Sequence, residues 1–320
     1  MSNKIRFGIP KGSLQKATLD ALRDAGWPLG GSERSYVLQS NDSEVEFILL
    51  RPQEMPMAVV RGNLDVAITG KDWVLESGIN TVQISQQAGQ AQEAGHAAGS
   101  GASIVEVAKL QYSKNTPEGV RWVLAVPVDS SIKQISDLKG KVISTELVNV
   151  TTRFFAKSNI DVKVEFSWGA TEAKPVLGLA DAIVDLTETG ASLRENNLCI
   201  IADVTKSYTV IIANIQAYEV SQKKQKIEDI ALLLRSALDA RSKVGLKMNA
   251  KNENLEKILS FLKSNSMYGS NSPTISKLQD PGWLSLEVIV DEEKVRKLMP
   301  QLTRLGACGI IEYQINKILQ

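Results

Sequence analysis

The chain has 320 residues, 43% of them hydrophobic, which is enough to bury more than one core and to make two or three domains. Its 37 basic and 36 acidic residues leave a net charge of +1, so no general field draws it to nucleic acid or an anionic membrane. The cysteines, Cys199 and Cys308, lack metal-ligand or redox spacing; this excludes a zinc site or disulfide framework and predicts two small buried apolar residues.

The N-terminus enters a strand-like segment without an apolar signal region, and no stretch approaches the roughly 18 apolar residues of a membrane span, so a cytoplasmic protein is expected. The pattern predicts a buried strand over 5–10, a Lys11-Gly12-Ser13 turn and a helix over 14–25 that stops at Gly26. Strands are predicted at 45–50 and 64–68, the second running into Thr69-Gly70-Lys71-Asp72, and their alternation with helices implies parallel strands with crossovers. The stretch 86–103, rich in Gln, Ala and Gly and holding the lone His96, reads as a mobile surface insertion.

A second α/β region begins near Arg121, with strands at 122–127, 141–145, 162–166 and 182–186. The apolar segment 208–218 reads as a strand returning to the first lobe, and 227–241 as a long helix. Beyond it strands at 244–250, 274–276, 284–290 and 309–315 and helices at 255–263 and 292–305 give the order βαββαβ of a ferredoxin-like module. The division is 1–112 with 206–224 as one lobe, 113–205 as a second, and 225–320 as a third domain.

The most informative segment is an apolar strand ending at Asp185, followed by Thr187-Glu188-Thr189-Gly190-Ala191-Ser192. Backbone N–H groups and hydroxyls in such a turn at a helix start suit a phosphate, and an acid just before it can accept hydrogen bonds from the hydroxyls of the sugar bearing that phosphate. The segment therefore reads as a ribose 5-phosphate site. By itself it leaves open which base is used, and a two-lobed α/β protein can also bind small solutes without catalysis. In the first lobe Lys11, Arg51 and Asp72 each follow a predicted strand, at the edge where open α/β sheets bind ligands, and Lys11, Arg34 and Arg51 suit polyphosphate.

These residues carry a resemblance to the long form of the ATP phosphoribosyltransferase family. It rests on Ile9-Pro10-Lys11-Gly12-Ser13-Leu14, on residues 49–54, 65–73 and 122–127, and on Gly169-Ala170-Thr171-Glu172-Ala173-Lys174 with Gly178 to Asp185. The resemblance implies two lobes like those of periplasmic binding proteins and a C-terminal ferredoxin-like, ACT-like domain that senses histidine. It implies transfer of the phosphoribosyl group of phosphoribosyl pyrophosphate to N1 of ATP with Mg²⁺, the first step of histidine biosynthesis, by a homo-hexamer.

The same resemblance puts Glu172 and Asp185 on the ribose hydroxyls and Thr187 to Ser192 around the 5-phosphate. Lys11, Arg34 and Arg51 face the pyrophosphate and triphosphate, and Gly12, Gly70 and Asp72 hold the nucleotide. Asn249 and Thr274 are the residues nearest the histidine effector. Ser13 stands where some short-form relatives have arginine, so that contact does not carry over, and the 86–103 segment is unlike the family pattern.

Overall fold

A computed structural model gives the fold and describes residues 4–32, 34–84, 91–94, 103–112, 119–265 and 273–319. The chain opens with β1 (Ile5–Pro10), α1 (Gln15–Ala25), β2 (Val37–Leu38), β3 (Val45–Leu50), α2 (Met55–Val60), β4 (Val66–Gly70), α3 (Lys71–Ser77), β5 (Asn80–Ile84), β6 (Ala91–Ala94) and β7 (Ser103–Leu110). A second lobe follows as β8 (Val120–Pro127), β9 (Val142–Thr145), α4 (Val148–Lys157), β10 (Lys163–Phe166), β11 (Ala182–Thr187), α5 (Ala191–Glu195) and β12 (Leu198–Ser207). The chain then returns through β13 (Thr209–Asn214), α6 (Ile215–Glu219) and α7 (Ser221–Ala240). It ends in β14 (Lys243–Lys251), α8 (Leu255–Ser264), β15 (Thr274–Lys277), β16 (Trp283–Asp291), α9 (Glu292–Arg304) and β17 (Cys308–Gln314).

Two compact units partition the chain, Met1–Asp20 with Trp27–Ala231 and Ala21–Gly26 with Leu232–Gln320. The first unit holds two sheets, in the orders β2-β3-β1-β4-β13-β7-β5-β6 and β10-β9-β11-β8-β12. Strands β3, β1 and β4 are parallel, as are β10, β9 and β11. The sheets are nevertheless mixed, which corrects the expectation of parallel strands throughout: β13 runs against both its neighbours because it re-enters the first sheet from the second lobe, and β8 runs against β11 and β12. This crossing and return of the chain divides the unit into two α/β lobes, as the sequence led one to expect.

Burial explains why these segments are strands. Along β8, Trp122, Leu124 and Val126 enter one apolar cluster with Ile143, Phe155 and Val184, while Val123 and Ala125 enter another with Ile183, Leu193 and Leu198. A strand covered on both faces reads as a continuous apolar run, as this one does. The first lobe buries Met55, Val59, Ala67, Val74, Ile104, Val210 and Ile212 in one cluster.

Several elements differ from the sequence expectation. Strands β5, β7 and β12 were not predicted; β12 is interrupted by irregular pairing with β8 at two places, which destroys the alternation of period two that marks a strand. The predicted strand over 208–218 ends at Asn214, whose side chain accepts from the Ala217 N–H at 2.9 Å and turns the remainder into α6. Within 86–103, Ala91–Ala94 is strand β6, paired antiparallel with β5, and Ser103 opens β7, so the segment is not wholly a surface loop. The rest of it, His96 included, lies outside the described residues.

The C-terminal unit has the predicted βαββαβ order, and its sheet order β15-β16-β14-β17, antiparallel throughout, is ferredoxin-like. Val244, Leu246, Met248, Leu286 and Val288 on one sheet face pack with Ile258, Leu262, Val295, Leu298 and Leu302 of α8 and α9. Contrary to expectation, Cys308 is exposed, because β17 is an edge strand with most of its side chains in solvent, and Cys199, on the edge strand β12, is only partly buried. Among the described residues no helix is long and apolar enough to cross a membrane.

Candidate active site

Three neighbouring parallel strands end together on one wall of a cleft. Lys11 follows β1, Arg51 follows β3, and Lys71 and Asp72 open α3 directly after β4. Lys11, Gly12, Arg51, Gly70 and Asp72 all line the cleft, which encloses about 580 Å³. The Lys11 ammonium stands 4.4 Å from the centre of the Tyr36 ring. Arg34 is exposed and does not line the cleft.

Asp72 is buried at 4% exposure, and burial pushes its carboxyl above the usual carboxylate range even though hydrogen bonds pull the other way. The Trp122 indole N–H donates to its Oδ2 at 2.7 Å, and its backbone N–H donates to Ser207 Oγ at 3.1 Å. Asp72 therefore ties the first lobe to two strands of the second. Gly70 makes this possible: a Cβ there would overlap Asp72 Oδ1, which folds back to accept from the Trp73 N–H at 3.0 Å.

The opposite wall belongs to the second lobe, where Asp185, Leu186, Glu188 and Glu146 line the cleft. Asp185 accepts from the Leu186 N–H at 2.7 Å, yet its carboxyl is pushed up to about 7, by burial first and also by the negative charges of Glu172 and Glu146. Past it the loop is wired internally. The Gly190 N–H donates to Thr187 Oγ1 at 2.8 Å, the Ala191 N–H to Thr189 Oγ1 at 3.4 Å, and Ser192 Oγ to Glu172 Oε1 at 2.7 Å. Gly190 adopts φ 75° at the start of α5, a left-handed conformation that glycine accepts without strain. Thr187, Thr189, Gly190, Ala191 and Ser192 thus form one connected turn with Glu172, and Glu188 is the residue of this turn that lines the cleft.

The cleft is polarised. Lys11, Arg51 and Lys109 line the first-lobe side, and Glu146, Asp185 and Glu188 the second-lobe side. Two α/β walls of opposite charge facing one space suit a ligand with polyphosphate at one end and sugar hydroxyls at the other.

Sequence comparison bears on which ligand this is. Residues 51–236 match the HisG, ATP phosphoribosyltransferase, family, and residues 240–317 match the HisG C-terminal domain. This chain is an ATP phosphoribosyltransferase family member. It is 47% identical to the ATP phosphoribosyltransferase of Trichlorobacter lovleyi over 319 residues, covering all of both chains. With that of Prosthecochloris aestuarii it shares 46% over 98% of this chain and 97% of the other. Among solved structures it is similar to the ATP phosphoribosyl transferase (HisG:HisZ) complex from Thermotoga maritima, at 25% identity and a TM-score of 0.55, over 72% of this chain and 98% of that one. Full-length likeness, with the C-terminal domain included, fits the long form. An ATP phosphoribosyltransferase is a pentosyltransferase of histidine biosynthesis, and its substrates are ATP and phosphoribosyl pyrophosphate.

Several residues of the cleft escape sequence reasoning. Glu146 was findable, since it follows β9 as Lys11 follows β1. Lys109, Gln111 and Tyr112 line the cleft from β7 and the segment after it, Ser207 from the end of β12, and Tyr208 from the connection to β13. In sequence these look like ordinary chain between lobes.

Gly70→Ala tests the Asp72 arrangement. Displacing the Asp72 carboxylate leaves the buried Trp122 N–H without its acceptor, so stability should fall by about 1–3 kcal/mol. Thermal denaturation of the two proteins side by side checks this; an unchanged midpoint would mean that the Asp72–Trp122 bond is dispensable.

Proposed function

We propose that the two walls divide the substrates: the second lobe binds phosphoribosyl pyrophosphate by its ribose 5-phosphate, and the first lobe binds ATP and the departing pyrophosphate. The observation that supports this best is the polarised cleft, with Lys11 and Arg51 facing Asp185 and Glu188. In the reaction N1 of the adenine forms a bond to C1 of the ribose as the bond from C1 to pyrophosphate breaks. No protein nucleophile is needed; holding the two substrates in line and neutralising the leaving group account for catalysis.

In this reading Asp185 and Glu172 accept hydrogen bonds from the ribose hydroxyls, and the turn from Thr187 to Ser192 holds the 5-phosphate. Phosphate binding replaces the hydroxyl partners now held by the Gly190 and Ala191 N–H groups. Lys11 and Arg51 neutralise pyrophosphate, and Gly12, Gly70 and Asp72 shape the nucleotide side. Arg34, outside the lining, is given no contact.

The family generally uses a metal ion, and we assign Mg²⁺. Among the described residues no group of three or more His, Cys, Asp or Glu is arranged to hold a metal. In this reading the ion is carried mostly by substrate phosphates with one or two protein oxygens, and Glu188, a loop carboxylate that lines the cleft, would be one donor. The ion's chemistry would be to neutralise the pyrophosphate as it leaves.

The catalytic lobes are 1–112 with 206–224 and 113–205, and 225–320 is regulatory, in a cytoplasmic hexamer inhibited by histidine. Asn249 pairs with Ser285 on β16, and Thr274 pairs with Glu287 two residues along the same strand, so Asn249 and Thr274 share the sheet face opposite the helices. Asn249→Ala combined with Thr274→Ala should abolish histidine binding by calorimetry and histidine inhibition together; retained affinity would move the effector elsewhere.

Incubation with ATP and phosphoribosyl pyrophosphate tests the catalytic reading. One N1-phosphoribosyl-ATP should form for each pyrophosphate released, and turnover with a free base but not with ATP would overturn it.

A further inference from the structure

Helix α4 begins without a cap of its own. Leu147 at its N-cap makes no side-chain cap, although the first N–H groups of a helix need acceptors from outside it. They are met from the other lobe. Glu76, near the end of α3, accepts from the Asn149 N–H through Oε1 at 2.8 Å and from the Val150 N–H through Oε2 at 2.9 Å. The Asn149 side-chain amide donates to the Glu76 carbonyl at 3.1 Å, and Arg153 Nη2 donates to the Leu75 carbonyl at 2.6 Å.

The remainder of α3 is bound in the same direction. Trp73 packs against the second-lobe core, edge-on to Trp122, and Asp72 accepts from that tryptophan. Val74 points the other way, into the first-lobe core. Helix α3 is thus a brace with a hold in each lobe. What it grips matters for the site, because Glu146 stands three residues before Asn149, in the turn that leads into α4, and lines the cleft near Asp185.

We propose that Glu76 is a positioning residue for phosphoribosyl transfer: reaching from the first lobe, its two carboxylate oxygens fix the start of α4 and thereby the cleft-facing Glu146 of the second. The inference rests on the reading that the second-lobe wall takes the ribose, and deepens it by adding Glu146, which lines that wall near Asp185. Both oxygens are in use, and a carboxylate also suits the positive end of the helix dipole. An amide has a single acceptor oxygen, and its NH₂ would confront the second N–H. Glu76→Gln should therefore be nearly as damaging as Glu76→Ala.

The test uses the full-length chain carrying Glu76→Gln or Glu76→Ala, each alone and combined with Glu146→Gln, with ATP and phosphoribosyl pyrophosphate varied separately. Loss of a cap should raise KM for phosphoribosyl pyrophosphate about 10-fold and KM for ATP less than about 2-fold. In the Glu146→Gln background the same substitutions should change KM less than about 2-fold, since the group that Glu76 places is already gone. Loss of folded enzyme lowers apparent kcat and leaves KM where it was, so a merely structural role does not imitate this result. Equal increases in both backgrounds, or an unchanged KM, would overturn the proposal. If Glu146→Gln alone matches the parent enzyme, Glu146 has no part in the ribose wall and the proposal is overturned, while loss of activity with ATP and phosphoribosyl pyrophosphate in the parent itself is what would sink the underlying reading.

Discussion

Asp185→Asn should make the protein more stable above neutral pH and far slower. The Asp185 carboxyl is held near 7 in the folded chain, chiefly by burial, whereas an unfolded aspartate titrates near its ordinary value of 3.8. Between those values the folded state binds the extra proton, so stability falls as pH rises through that window, and above pH about 7 the full cost remains. Asparagine carries no such charge. Discounted for partial solvent exposure, the gain at pH about 8 is on the order of 1 kcal/mol, vanishing below pH about 4.

Catalysis should move the other way, because in the proposed reading the ionised carboxylate accepts from the ribose hydroxyls. Loss of a well-placed group of this kind lowers the rate by roughly 10²-fold to 10³-fold. In the parent enzyme kcat/KM for phosphoribosyl pyrophosphate should climb with pH through about 7, and the variant should lack that limb. Thermal melts and pH–rate profiles of both proteins check the two halves together. A destabilised variant, or one with near-normal kinetics, would remove Asp185 from the site.

Arg51→Ala and Lys11→Ala should each lower kcat/KM by about 10²-fold with the fold intact. Both cations sit just beyond adjacent parallel strands and open into the cleft, and no ion pair among the described residues engages either one. A cation left without a carboxylate at a sheet edge is available to a phosphate. Arg51→Lys should recover only part of the loss, since the planar fork of arginine meets two phosphate oxygens at once and an ammonium does not. Pyrophosphate affinity by calorimetry provides the second readout. Unchanged pyrophosphate binding in both alanine variants would place the leaving group elsewhere.

The parts of this fold that were legible in the sequence are those where burial writes a simple period. Ile5–Pro10 and Val45–Leu50 were predicted at their observed bounds, because the first is largely apolar with Phe7 and Ile9 fully buried and the second alternates buried and half-buried side chains. The βαββαβ unit was legible for the same reason, one sheet face being covered by two amphipathic helices. Strand β12 was hidden by its irregular pairing, and β6 by a composition that carries no apolar signal.

The candidate site was legible by a different rule, that ligands gather at the ends of parallel strands. The rule found Lys11, Arg51 and Asp72; applied to β9 it also finds Glu146. It does not see depth. Asp72 is buried against Trp122, and Thr187 and Thr189 spend their hydroxyls on the loop's own N–H groups, facts that depend on partners 50 residues away or on the turn closing on itself. Nor does it see Glu76, whose partners in α4 lie 73 and 74 residues further along the chain.

A crystal structure with phosphoribosyl pyrophosphate bound will show whether a ribose-phosphate wall on the second lobe faces a cationic wall on the first. The 5-phosphate should lie within hydrogen-bond distance of the N–H groups between Glu188 and Ser192, the ribose hydroxyls on Asp185, and the pyrophosphate turned toward Lys11 and Arg51. A 5-phosphate seated on Lys11 and Arg51, with the 188–192 turn still closed on its own hydroxyls, would contradict it.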